Sequence, residues 1–159
     1  MNKIGVIGVG NPLRGDDGIG ILLMEELAKR KPEGVELIDG GTGGINLIHD
    51  LAKFDLVVIL DAVDFGGKCG ETRIFPADDV LQDTGEIKFC THETDLFNVI
   101  KISKKLGESP DKIFIFGVQP KDFSPKMKIS REIKQSMDRI LDEFYNKIKT
   151  IKMKETSNF

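Results

Sequence analysis

Apolar residues along this chain follow two rhythms, and the alternation between them predicts an architecture. Lys3 to Val9 is a short, nearly continuous apolar run that stops at Gly10-Asn11-Pro12, as a buried strand running into a turn would. From about Gly18 to Lys29 the spacing becomes helical, with Ile19, Leu22, Leu23 and Leu27 on one stripe and Asp16 or Asp17 placed to cap the start. Val35 to Ile38 reads as a second strand, closed by Asp39-Gly40-Gly41, and a shorter helix covers roughly Ile45 to Lys53. Leu56 to Leu60 is the most apolar run in the chain and is expected to be the central strand, ending on Asp61.

Glu71 to Phe75 predicts a fourth strand reached through a Gly66-Gly67 turn. That connection is too short for a crossover helix, so the strand is expected to run antiparallel. A third helix over about Thr94 to Leu106 sets Leu96, Val99, Ile100 and Ser103 on one face and stops at Gly107. Lys112 to Val118 is the fifth strand, ended by Pro120. The last helix begins near Ser130, a good N-cap residue, and its stripe runs from Ile133 through Met137, Ile140, Leu141 and Phe144 to Ile148. Residues beyond about Lys152 are expected to fray. The pattern predicts one α/β domain over residues 1–152 and a short tail over 153–159. The domain would be a three-layer sandwich: a mostly parallel twisted sheet of about five strands, one of them antiparallel, with helices on both faces.

Composition narrows the function classes. With 159 residues, 40% apolar and 31% charged, the chain can bury a real core and is not a disordered sequence. A net charge of -3 argues against a basic nucleic-acid-binding surface. Two cysteines are too few for a disulfide-built scaffold. The first residues carry no long apolar signal core, and no run approaches the ~20 apolar residues of a membrane span. A soluble, cytoplasmic protein is the expectation.

In open α/β sheets, ligands bind outside the carboxyl ends of the strands. This chain puts acids at three such ends: Asp16 and Asp17 after the first strand, Asp39 after the second and Asp61 after the third. His92 precedes the third helix. Carboxylates and an imidazole on one edge suit a divalent cation with mixed oxygen and nitrogen ligands, or an acid/base cluster. Each also has a plainer use. Asp16 or Asp17 can cap a helix, Asp39 can shape a turn with Gly40 and Gly41, and a loop histidine is commonly structural. Asp61 is the hardest to explain away, because an ionised carboxylate closing a central strand is costly unless it is paired or bound. His49, beside Asp50, reads as a solvated helix residue. Cys90, two residues before His92, could be a soft metal ligand, but burial suits it better, and Cys69 has no suggestive partner. No HExxH helix, GxSxG elbow or paired CxxC occurs.

Three readings compete for this edge. Gly8-Val9-Gly10 suggests a dinucleotide fingerprint, with Asp39 as its ribose-binding acid. Position 13 is leucine, however, and two aspartates stand where a pyrophosphate would rest. A receiver-like phosphoacceptor domain would align Asp16, Asp17 and Asp61 as a magnesium site, with Thr91 and Lys121 further on. Against it, six residues separate the first strand from the acidic pair, and Pro120 precedes the lysine.

The third reading is a resemblance. The stretch G-V-G-N-P-L-R-G-D-D-G-I-G, residues 8–20, is similar to the N-terminal signature of the hydrogenase maturation endopeptidases. The similarity continues through D-G-G-T at 39–42, L-D-A at 60–62, T-H at 91–92 and G-V-Q-P at 117–120, in family order and up to about Tyr145. The resemblance implies an enzyme that removes a short C-terminal peptide from a [NiFe]-hydrogenase large-subunit precursor after nickel insertion. It implies that Asp17, Asp61 and His92 contact the nickel, which arrives in the precursor, so that no organic cofactor is needed. It also implies that the Asp39-Gly40-Gly41 loop serves cleavage or substrate fit, with Gly40 and Gly41 against the substrate and Asp39 assisting. Metal-bound water or an aspartate acting as general base would both be compatible with these residues.

Overall fold

The computed structural model describes residues 3–81, 93–122 and 128–157. Its elements, in chain order, are β1 (Ile4–Gly8), a 3-10 turn (Gly15–Gly18), α1 (Ile19–Arg30), β2 (Glu36–Asp39) and α2 (Leu47–Leu51). There follow β3 (Leu56–Ala62), β4 (Thr72–Pro76), α3 (Ala77–Leu81), α4 (Glu93–Lys105), β5 (Lys112–Val118) and α5 (Arg131–Thr156). The strands form one sheet in the order β2-β1-β3-β5-β4. β1 pairs parallel with β2 and β3, and β3 parallel with β5; β4 alone runs antiparallel, against β5.

Side-chain alternation divides the core into two layers. On one face Val6, Val58, Leu60 and Phe116 meet the apolar stripes of α1 and α5. On the other, Ile7, Val57, Ile59 and Ile115 meet α2 and α4. All seven residues of β3 are buried, which explains its unbroken apolar sequence: a central strand covered on both faces has no solvent side to make polar. Burying each such aliphatic side chain is worth about 1.5–3 kcal/mol. Phe116 and Phe144 add an edge-to-face contact at 5.4 Å between β5 and α5. α1 seats very closely on the strand ends. A Cβ at Gly20 would stand 2.1 Å from the Leu60 carbonyl oxygen and 2.2 Å from that of Val9, so glycine is the residue that permits this approach.

Several local expectations change. Neither Asp16 nor Asp17 caps α1; both lie inside the 3-10 turn, and Gly18 holds the N-cap position without a side-chain bond. β3 does not end on Asp61 but carries it in register opposite Gly117 and continues one residue further, to Ala62. α2 is shorter than the apolar spacing suggests. α3 had no sequence signal, since five residues with Asp78 and Asp79 in the first turn make no periodic stripe. α5 continues to Thr156, past the expected onset of fraying, where Lys152 donates to the Glu33 carbonyl and Glu155 pairs with Lys112. No described helix is long and apolar enough to cross a membrane.

Candidate active site

The sheet changes direction between β1 and β3: from β1 the chain builds outward to β2 on one side, then returns to place β3 on the other. Such a switch point leaves a crevice beyond the carboxyl ends of the two strands. All three buried carboxylates among the described residues are at this edge, Asp16 at 6% exposure, Asp17 at 2% and Asp61 at 0%. Burying a carboxylate is costly, so three at one edge of an otherwise apolar core make that edge the candidate site.

Asp61 reaches the site by strand parity. It shares its sheet face with Val57 and Ile59, the face covered by α2 and α4. One of its oxygens accepts from the Ala62 amide at 2.8 Å. Asp17 arrives on the 3-10 turn, which packs against β3. Asp17 Oδ2 accepts from the Asn11 amide at 3.1 Å, while Asn11 Oδ1 accepts from the Leu13 amide at 3.0 Å. The loop after β1 is thereby folded around the carboxylate.

Asp16 points elsewhere. Its Oδ1 accepts from the Ser130 amide at 2.7 Å, and its Oδ2 from the Ser130 hydroxyl at 2.8 Å and the Lys121 amide at 2.9 Å. Ser130 occupies the N-cap position of α5, as its sequence context predicts, but its hydroxyl serves Asp16 instead of its own helix. This disposes of the receiver-like reading. A magnesium site needs Asp16 and Asp17 together on one cation, whereas Asp16 is committed to three donors and the Lys121 ammonium pairs with Glu132 at 3.2 Å.

Asp39 is exposed at the end of β2, and its Oδ1 accepts from the Gly41 amide at 2.9 Å, the turn-shaping role open to it from sequence. The turn is tied to its neighbours: the Gly40 amide donates to the Gly8 carbonyl at 2.7 Å, and the Gly10 amide to the Gly41 carbonyl at 2.8 Å. A shallow depression of about 360 Å³ opens beside it, lined by Asp39, Gly41, Thr42, Gly44, Asn46 and Asp50. Further along, a Cβ at Gly43 would meet Leu96 at 3.2 Å, so this loop also lies against α4.

Gln119, from the G-V-Q-P segment, is a contributor to which the residue pattern gave no role. Its Oε1 accepts from the amides of Phe65 and Gly67 at 2.9 and 3.1 Å, and its Nε2 donates to Asp64 Oδ1 at 3.0 Å. One buried amide thus holds the loop that follows β3. His49 is exposed, as expected. Cys69 is half-buried with its Sγ 3.8 Å from the Ser130 hydroxyl, and burial pushes its thiol above the usual range, which keeps it protonated near neutral pH. Cys90, Thr91 and His92 lie outside the described residues, so the structure speaks for two members of the expected triad. Among the described residues no group of three or more His, Cys, Asp and Glu forms a metal-holding cluster.

A family model described as hydrogenase maturation protease matches residues 21–147. The chain belongs to this family. The hydrogenase 2 maturation protease of Escherichia coli is 30% identical over 143 residues, covering 89% of this chain and 87% of that one. Among solved structures, the hydrogenase-maturating endopeptidase HybD of E. coli matches with a TM-score of 0.77 at 28% identity, over 93% of each chain. The [NiFe] hydrogenase maturation protease HycI of Thermococcus kodakarensis matches at 0.71 with 32% identity, over 89% of each. The hydrogenase expression/formation protein HupD of Bradyrhizobium diazoefficiens is 36% identical over 123 residues; the match takes in 76% of this chain and 64% of that relative's length. As a member of the maturation protease family, the chain has the mixed five-stranded sheet of these structures.

Proposed function

We propose that this protein is an endopeptidase that removes the C-terminal extension of a nickel-loaded [NiFe]-hydrogenase large-subunit precursor in the cytoplasm. The nickel is part of the substrate, delivered in the precursor and recognised by Asp17, Asp61 and His92. The observation that carries this reading is the pair of buried carboxylates, Asp17 on the 3-10 turn after β1 and Asp61 in β3, at 2% and 0% exposure. Family membership and the likeness to the E. coli maturation protease, over 89% of this chain and 87% of that one, support it.

The chemistry follows from the donor set. Two carboxylates and one imidazole are hard and borderline ligands that suit a divalent first-row cation, yet they are too few to complete its shell. Such a site recognises a metal already held by its carrier and does not strip it away. The cation would supply Lewis acidity toward the scissile carbonyl or its attacking water. This chain's part is to fix the metal's position, with Asp17 and Asp61 held by backbone amides, and to lay the precursor tail along the exposed residues Gly41, Thr42 and Gly44. An aspartate at this edge then takes the proton from the attacking water, with Asp39 beside the depression as an assisting group.

The test incubates purified protein with the nickel-loaded precursor and, separately, with its nickel-free form, and reads loss of the C-terminal peptide by mass spectrometry. Cleavage of the loaded form alone is expected. Asp17→Asn, Asp61→Asn and His92→Ala should each slow it by about a hundredfold or more, since displacing a reacting centre by even 1 Å has that effect. Near-normal cleavage by all three variants would remove the assignment.

A further inference from the structure

We propose that Asp16 is a positioning residue, a clamp that holds the Asp17 carboxylate in place by fastening the 3-10 turn to the N-terminus of α5. The inference rests on the proteolytic reading above, in that Asp17 is taken to contact the substrate's metal. In this role Asp16 acts through its neighbour and not on the substrate itself. Its two oxygens take three donors from a segment more than a hundred residues away, the Lys121 amide and both the amide and hydroxyl of Ser130. The neighbouring residue, Asp17, sits on the same four-residue turn, so the turn has one end of its freedom removed by Asp16 and the other by the Asn11 amide.

The geometry suits this role better than a simple helix cap. Lys121 follows Gln119 and Pro120, and Gln119 orders the loop after β3. The clamp therefore ties the loop that carries Asp17 to the same segment that shapes the surroundings of Asp61. Charge matters to it as well as shape. Three donors converge on Asp16 and need acceptors on both oxygens; an asparagine there would turn an N–H₂ group toward at least one N–H or O–H donor.

Amide hydrogen exchange of the free protein reads the clamp without relying on activity. In Asp16→Asn, the Lys121 and Ser130 amides should lose protection together with the Asn11 amide, whose acceptor is the Asp17 carboxylate, while β3 amides keep theirs. Cleavage of nickel-loaded precursor should fall in kcat by about a hundredfold with KM little changed, as expected for a misplaced group near the chemistry. Ser130→Ala, which removes one of the three bonds and keeps the backbone donor, should give an intermediate loss of kcat, and Ser130→Thr should restore most of it. The clamp is overturned if Asn11 keeps its protection in Asp16→Asn, or if Ser130→Thr is as slow as Ser130→Ala. Wild-type protein that leaves the loaded precursor intact overturns the proteolytic reading and the kinetic role built on it, and the exchange pattern shows separately whether the clamp itself exists.

Discussion

Gly40 and Gly41 are adjacent, yet each excludes a side chain for its own reason. At Gly40 a Cβ would stand 2.7 Å from Ile7 Cγ2, 2.9 Å from Val9 Cγ1 and 3.0 Å from the Gly8 oxygen, so alanine there pushes on the end of β1. At Gly41 a Cβ would meet nothing within 4 Å, and the only obstacle is a φ of +56°. Gly41→Ala is therefore the clean probe of substrate fit, because its cost to the fold is about 1 kcal/mol of backbone strain, or about 2–4 °C in Tm. We expect it to cleave loaded precursor several-fold more slowly, because the added methyl projects into the open space where the peptide tail is proposed to lie. Unchanged cleavage would make the turn an ordinary one. Gly40→Ala would lose activity in either case, by disturbing β1.

At the scale of elements, what could be read from the sequence was whatever packs periodically. The five strands and four of the helices announce themselves because one stripe or a continuous run is buried, and burial selects apolar residues at fixed spacing. α3 has no such stripe, and the extension of β3 through Asp61 is masked because the acid interrupts the apolar run. The acidic edge was equally legible, since it follows from where parallel strands end. The direction of Asp16 was not, because its partners are 105 and 114 residues away and no local pattern encodes a contact of that range. The start of α5, where those partners lie, has its own electrostatic support. The Glu132 carboxylate in the first turn is held below the usual range by a hydrogen bond from its own backbone amide and then by Lys121. A carboxylate depressed in the folded state stabilises it above the unfolded pKa, and that contribution disappears as pH falls through the folded value. Amide exchange in the first turn of α5 should therefore be faster in Glu132→Gln than in wild type at neutral pH. The two should converge in acid, once pH has fallen below the depressed folded pKa of Glu132, which lies under the ordinary glutamate value of about 4.3. A difference that persists unchanged into acid would assign the effect to packing.

For the molecule as a whole, the core and the site make opposite demands. Both faces of the sheet are filled with aliphatic and aromatic side chains, and the buried charges that the described residues contain are gathered at one edge. A fold selected for stability alone would not place a fully buried carboxylate in its central strand. Asp61 is thus expected to cost stability for the sake of function, a trade found where sites require strained or poorly solvated groups. Replacing it by asparagine keeps its size and an oxygen for the Ala62 amide while removing the charge. Asp61→Asn should accordingly raise the free energy of unfolding by about 1 kcal/mol and Tm by about 2–4 °C for a chain of this length, even as it slows cleavage by about a hundredfold or more. Thermal unfolding of the free protein at neutral pH measures this directly. A fall in Tm of similar size would show that the charged form of Asp61 supports the fold as well as the site, and the burial of the carboxylates would then no longer argue for catalysis on its own.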